Sequence, residues 1–252
     1  VSALISLKMA DAIFLFTDRG VYDRQFIIRE FKRKVATAKV VPFAVATRGS
    51  DRWSDHVSEV LIGWAEEVGV DEAIATFAEA ASELWKYDPK LANDLEIVVA
   101  CISPTKGPQH FLFRNRAVIK RGGREDGTKS PVGVLEELGS SYQGCATDGT
   151  PVPPLRACRG ESAEARAAYI GVTLMEHYRS LRVGPSAWDV LREPRHVVGG
   201  GIDMTMVSGV TGAWTAGLKT WPDRVGERIN PFAGQKPKMV SRQQRRAAAR
   251  VS

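Results

Sequence analysis

The order of elements along the chain predicts an α+β fold. The expected form is a four-layer αββα sandwich, two antiparallel sheets with helices outside, plus a basic C-terminal arm. Three observations predict it. Short apolar runs of strand length come in pairs around tight turns near the start, in the middle and late in the chain. Two adjacent segments between them repeat apolar residues at spacings of three and four, one buried stripe each. The charge excess is confined to the end of the chain. The 252 residues are 44% hydrophobic and 25% charged. That supports a sizeable core and excludes disorder throughout. The 23 Gly and 13 Pro show no period, which excludes a collagen-like chain.

Val1 to Leu7 is an apolar-rich run, and Ala12 to Thr17 is a second one. The short link at Lys8 to Asp11 makes them a hairpin. Arg29 to Ala36 and the β-branched run Val40 to Thr47 form the next expected hairpin, which ends at Arg48-Gly49-Ser50. Ser50 or Asp51 caps a helix by accepting from amides of its first turn. Val57, Val60, Leu61, Trp64 and Val68 are its stripe, and Gly69 ends it. Asp71 caps the next helix, which carries Ile74, Phe77, Ala78, Ala81, Leu84 and Trp85 and stops before Pro89. The expected helices are Arg52–Val68, Glu72–Tyr87 and, later, Ser162–Leu181.

Leu95 to Ile102 reads as a buried strand and His110 to Arg116 as its return, joined through Pro104-Thr105-Lys106-Gly107-Pro108. Lys120 to Ser130 reads as a charged, Gly-rich loop. Val132 to Leu138 reads as helical turns, and Gly139 to Gly160, with Pro151, Pro153 and Pro154, as an irregular connection. Trp188 to Arg192 reads as a short helical turn. Val197 to Val207 is a strand approached through Gly199-Gly200-Gly201, and Trp214 to Thr220 is its partner. The three glycines lack a following helix and a Walker Lys-Ser/Thr, so a strand bulge or close sheet packing is their expected role.

The net charge of +6 is uneven. Arg224 to Ser252 holds eight of the 35 Lys and Arg and one of the 29 Asp and Glu, a charge of +7. The other 223 residues hold 27 and 28, a charge of −1. The chain therefore divides into a body, 1–223, and a basic extension, 224–252. The extension is the part suited to an anionic surface. No run of 18 apolar residues is present, and the start has no signal-peptide pattern. No membrane association and a cytoplasmic location, or one inside a particle assembled there, are expected.

Three cysteines, Cys101, Cys145 and Cys158, have no zinc spacing. Cys101 reads as a core residue. Cys145 and Cys158 read as free thiols that an oxidising compartment could pair. None of His56, His110, His177 and His196 is paired at ligand spacing, so neither a metal nor a cofactor is expected.

Four segments carry a family resemblance: Phe14-Leu15-Phe16-Thr17-Asp18-Arg19, Val41 to Gly49, Glu96 to Phe113 with its Gly-Pro turn, and His196 to Ile202. Together with the element order they resemble the N-terminal-nucleophile hydrolases, and among these the proteasome β-subunit group and its simpler bacterial relatives. The resemblance covers roughly Val1 to Asp223. It implies that an N-terminal Thr, Ser or Cys attacks a carbonyl with its own α-amine as base. By position, Ser2 matches the nucleophile, Asp18 the acid and Lys34 the lysine. The chain departs from the pattern at Val1, which makes the Ser2 nitrogen an amide with no basicity. Arg48-Gly49-Ser50 supplies the Gly loop facing the nucleophile imperfectly.

The expected function is therefore a non-catalytic structural subunit of a larger assembly, a phage or prophage particle being one setting. An amide- or peptide-cleaving hydrolase after N-terminal processing is the alternative. The expected partners are copies of this chain or neighbouring subunits, reached through Ile229 and Phe232 with Arg242, Arg245 and Arg246 facing acidic groups or phosphate. Nucleic acid is a further candidate for the extension, whose stretch Arg242 to Arg250 lacks aromatic residues for base stacking.

Overall fold

The computed structural model describes residues 3–49, 51–87, 95–115, 133–145, 150–183 and 193–232. The described residues form an α+β structure with three helices, and every strand pair among them is antiparallel.

The chain opens with the expected hairpin. β1 (Leu4–Lys8) and β2 (Ala12–Asp18) pair Leu4 with Thr17 and Leu7 with Phe14. β2 is buried along its whole length because both of its faces are covered. Its side chains alternate between two cores, Phe14 and Phe16 in one, Ile13 and Leu15 in the other. The second expected hairpin divides. β3 (Gly20–Tyr22) takes β4 (Ile28–Phe31) into a two-stranded ribbon, while β5 (Val35–Thr37) pairs with β6 (Phe43–Arg48). Arg29 to Ala36 thus contributes to two different sheets.

α1 (Asp51–Val68) and α2 (Val70–Tyr87) follow, separated only by Gly69 at φ 88°. The cap expected at Ser50 lies outside the described residues. Asp71 is not a cap: it sits in the first turn of α2, where its carboxylate accepts from the Thr105 hydroxyl. β7 (Glu96–Ser103) and β8 (Gly107–Arg114) form the next hairpin around Gly107. β9 (Leu135–Glu137) corrects the helical reading of Val132 to Leu138, because the edge of β8 supplies backbone partners that the local sequence does not announce. β10 (Ser141–Gly144) likewise lies within the stretch expected to be irregular and pairs with β1.

α3 (Ala163–Ser180) starts at Ser162, whose hydroxyl accepts the Ala165 amide. β11 (Gly201–Ser208) and β12 (Gly212–Thr220) close the order, with a register shift at Ile202/Asp203. The glycine-preceded bulge expected there is present. The loop expected at Lys120 to Ser130, the turn at Trp188 to Arg192 and the helix or arm beyond residue 241 lie outside the described residues.

One sheet runs β10-β1-β2-β11-β12 and another β5-β6-β7-β8-β9. Leu174, Met175 and Tyr178 of α3 pack on Ile5, Phe14, Phe16 and Met204. At their closest point Gly171 is required, since a Cβ there would stand 2.3 Å from the Phe16 ring. Leu61, Ala65 and Phe77 of the helix pair pack on Val45, Ile97, Val99 and Phe113. A third cluster joins the two sheets directly, with Leu4, Ile13, Leu15 and Val207 against Ala44, Ala46, Val98, Ala100 and Leu112.

Beyond Asp223 the chain stays attached to this body. The Ile28 amide donates to the Glu227 carbonyl, the Gly226 amide donates to the Ile28 carbonyl, and Ile229 is buried. Residues 226–228 thus supply backbone partners to Ile27 and Ile28.

Candidate functional site

The β1–β2 register places Ala3 beside Asp18 at one end of the first sheet. The Asp18 carboxylate is fully buried. Its Oδ1 accepts the Ala3 amide at 3.2 Å and the Lys34 ammonium at 3.0 Å. Its Oδ2 accepts the Gly199 amide at 3.3 Å. Lys34, one residue before β5, also donates to the Gly20 carbonyl at 2.6 Å, and its side chain is 9% exposed. Burying a charge of either sign is costly, and here each is offset by the other and by backbone dipoles. The Ala3 nitrogen belongs to the peptide that joins it to Ser2, so a fixed ammonium and that peptide share one carboxylate oxygen.

Further polar groups line the same end of the space between the sheets. Glu96, at the start of β7, accepts from Arg114 Nε at 3.2 Å, lies 3.4 Å from an Arg48 nitrogen and accepts the Tyr142 hydroxyl. Burial alone would raise the Glu96 carboxyl. The Arg48 charge, the Tyr142 hydroxyl and Arg114 outweigh it and hold the carboxyl below its ordinary value. Gly144 on β10 fits against this cluster, since a Cβ there would meet Glu96 Oε1 and the Tyr142 oxygen at 2.6 Å. Burial pushes the neighbouring Cys145 thiol up to about 12, so it stays protonated at neutral pH.

Arg19 reaches Asp203 Oδ1 through Nε at 2.9 Å and Nη2 at 2.6 Å. Asp203 Oδ2 and Thr17 Oγ1, on register partners of adjacent strands, are buried with no hydrogen-bond partner.

Asp18 and Lys34, two of the residues singled out from sequence, thus meet at one point. Ser2, the third, lies outside the described residues, as do Arg242, Arg245 and Arg246. Ile229, expected on a neighbouring chain, is buried on its own body, where a Cβ on Gly199 would meet it at 2.9 Å. Phe232 is 58% exposed, with its ring edge-on to His196. Gly199, Glu96, Arg48, Tyr142 and Asp203 were not singled out as site residues. A charged residue at a buried strand end, as at Glu96, is the one signal that points to such a cluster. Cys101, Cys145 and Cys158 form no disulfide among the described residues.

Among the described residues no group of three or more His, Cys, Asp or Glu side chains is placed to hold a metal ion, and no helix is long and apolar enough to cross a membrane. No protein-family model matches the chain, and comparison with curated proteins finds no match.

Proposed function

We propose that the chain is a proteasome-like subunit of a larger assembly that carries an N-terminal-nucleophile site made of Ser2, Asp18 and Lys34. The site is silent while the Val1–Ser2 peptide bond acylates Ser2 and cleaves amide bonds once that bond is cut and Ser2 is first. The reading includes the four-layer αββα arrangement, which the three core clusters support. The observation that carries it is the Lys34–Asp18 pair bound to the amide of Ala3, the residue after Ser2.

With Val1 gone, the Ser2 α-amine takes the hydroxyl proton as Oγ attacks the substrate carbonyl carbon. The tetrahedral intermediate collapses to an ester, and the amine product leaves with that proton. Water then hydrolyses the ester, and the acid product and free Ser2 result. Lys34 supplies the fixed positive charge that favours negative charge developing beside it, and Asp18 holds Lys34 in place.

The test compares the chain retaining Val1 with a chain released from a fusion so that Ser2 is first. Turnover of amide and peptide substrates is expected only in the second, and Ser2→Ala in that form is expected to abolish it. Equal inactivity of both forms removes the hydrolase half of the reading.

The assembly half is supported by the charge asymmetry, +7 in the extension against −1 in the body. Sedimentation of the full chain and of a chain ending at Phe232 tests it. Association of the full chain that is weakened by the truncation is expected. Monomers at every concentration sink it.

A further inference from the structure

We propose that Arg179 and Asp223 are positioning residues for the Asp18–Lys34 centre, and that the segment Trp221–Asn230 is the strap that carries their setting. The inference rests on the N-terminal-nucleophile reading of that centre. Arg179, in the last turn of α3, and Asp223, just after β12, form a two-point ion pair with both N–O distances at 2.8 Å. Their side chains are 3% and 1% exposed. The pair grips one turn of backbone from both sides. Arg179 Nη1 donates to the Val198 carbonyl at 2.9 Å, and Asp223 Oδ2 accepts the Gly200 amide at 2.8 Å.

The residue between those contacts is Gly199. Its amide donates to Asp18 Oδ2, and its carbonyl accepts the Arg19 and Gly20 amides at 3.1 and 2.9 Å. One residue of backbone therefore separates the ion pair from the carboxylate that holds Lys34. No larger residue fits at Gly199, where a Cβ would meet Ile229 at 2.9 Å and Asp223 Oδ2 at 3.2 Å. Gly200 turns at φ 80°.

The strap closes the other side. Arg179 lies over the Trp221 ring at 4.4 Å and donates to the Asn230 carbonyl at 3.3 Å. Buried ion pairs contribute little net stability compared with apolar residues of the same volume, and their attested use is to specify one geometry. Here the geometry specified is that of the Gly199 amide. Without it, one oxygen of a fully buried carboxylate loses the donor it has among the described residues, and the carboxylate is free to turn away from Lys34.

The experiment uses the full chain with Asp223→Asn, which keeps an acceptor for Gly200, and with Asp223→Leu, which keeps none. Amide hydrogen exchange is read at Gly199, with Val98 and Val99 in the remote β7 as references. Exchange at Gly199 at least tenfold faster in the Leu variant, near wild type in the Asn variant, with the β7 amides unchanged, is the expected result. Unchanged exchange at Gly199, or equal acceleration of all three amides, overturns the proposal. In the chain with Ser2 exposed, Asp223→Leu is expected to lower kcat at least tenfold with KM held. Wild-type inactivity there counts against the hydrolase reading alone, because the exchange result stands apart from it. Activity untouched by Asp223→Leu counts against the positioning role alone. Should Asp223→Leu fail to fold, Arg179→Lys, which keeps the charge but loses the two-point pairing, provides the same exchange measurement with the same supporting and overturning results.

Discussion

The space between the two sheets has two different ends. Toward one end the polar contact is neutral. His110 is buried, its Nε2 donates to the Gly139 carbonyl at 2.6 Å, and its Nδ1 therefore accepts the Ser6 hydroxyl at 2.6 Å. At the other end stand ions: Glu96 with Arg48 and Arg114, and Asp203 with Arg19, and the Asp18–Lys34 pair lies at the same end of β2. Between them lies an apolar layer. A neutral contact satisfies buried polar atoms at small cost. A set of buried ions is expensive to assemble and is stable only while every member stays paired. The charged end is therefore the one whose stability depends on every partner, and it is the end that holds Ala3.

The largest effect expected from this contrast is at Lys34. Lys34→Met leaves the Asp18 carboxylate buried without its cation and is expected to cost about 3–5 kcal/mol. The midpoint of urea unfolding measures it. Adding Asp18→Asn is expected to recover part of the loss, which an ordinary packing defect would not allow.

A smaller loss is expected for Glu96→Gln, about 1.5–3 kcal/mol, the value of hydrogen bonds to charged groups. It also changes the response to acid. The folded Glu96 carboxyl sits below its ordinary value of 4.5. Its contribution is complete above that pH and is lost as pH falls through the lowered folded value. The Gln variant is expected to lack this strongly acidic step in a pH series of unfolding midpoints.

The neutral end responds at milder pH. Burial holds the His110 imidazole below its ordinary 6.5, and Lys8 lowers it further. The Gly139 carbonyl and Glu137 act in the opposite direction. Below 6.5 the unfolded chain binds a proton that the folded chain resists, so stability is unaffected above that pH and falls below it. His196 is also lowered by burial, with the carbonyls of Leu181 and Arg179 acting in the opposite direction, but it lies beside Arg179 and not at this end. His110→Gln is expected to flatten part of the fall in stability between pH 7 and 5 while leaving the Glu96 step in place. One merged transition in all variants would contradict the separation of the two ends.

The smallest effect is expected at the surface. Lys32 pairs with Asp55 at 3.0 Å, but Asp55 is 64% exposed. Lys32→Ala is expected to change stability by no more than about 0.5 kcal/mol, an effect that salt erases.

Much of the architecture was legible from sequence because its causes are local. The apolar run Ala12 to Thr17, of strand length and next to a short link, marks a strand, and β2 is one. The three- and four-residue stripes mark α1 and α2, and the observed ends of all three expected helices lie within two residues of the expected ones. The three glycines before Ile202 mark a bulge, and the register shifts there. Asp18 is singled out only through the family resemblance, since a charged pair that ends a strand reads on its own as a solvated turn. Periodicity and turn chemistry act within a few residues, so they show in the residues themselves.

Other features were decided by partners far away in the chain. Leu135–Glu137 and Ser141–Gly144 have little strand character of their own, and they are strands because β8 and β1 offered open edges. Ile229 reads as a free apolar anchor until Gly199 and the β4 backbone close on it. Asp223 reads as a turn residue, and Arg179 as the basic last turn of a helix. They become a buried pair because α3 and the end of β12 converge on one backbone turn. A lone charge in a sequence carries no sign of whether it will be solvated or compensated. Only the tertiary structure decides that, because the opposite charge that makes burial tolerable is supplied by a segment 16 residues away for Lys34 and 44 residues away for Arg179.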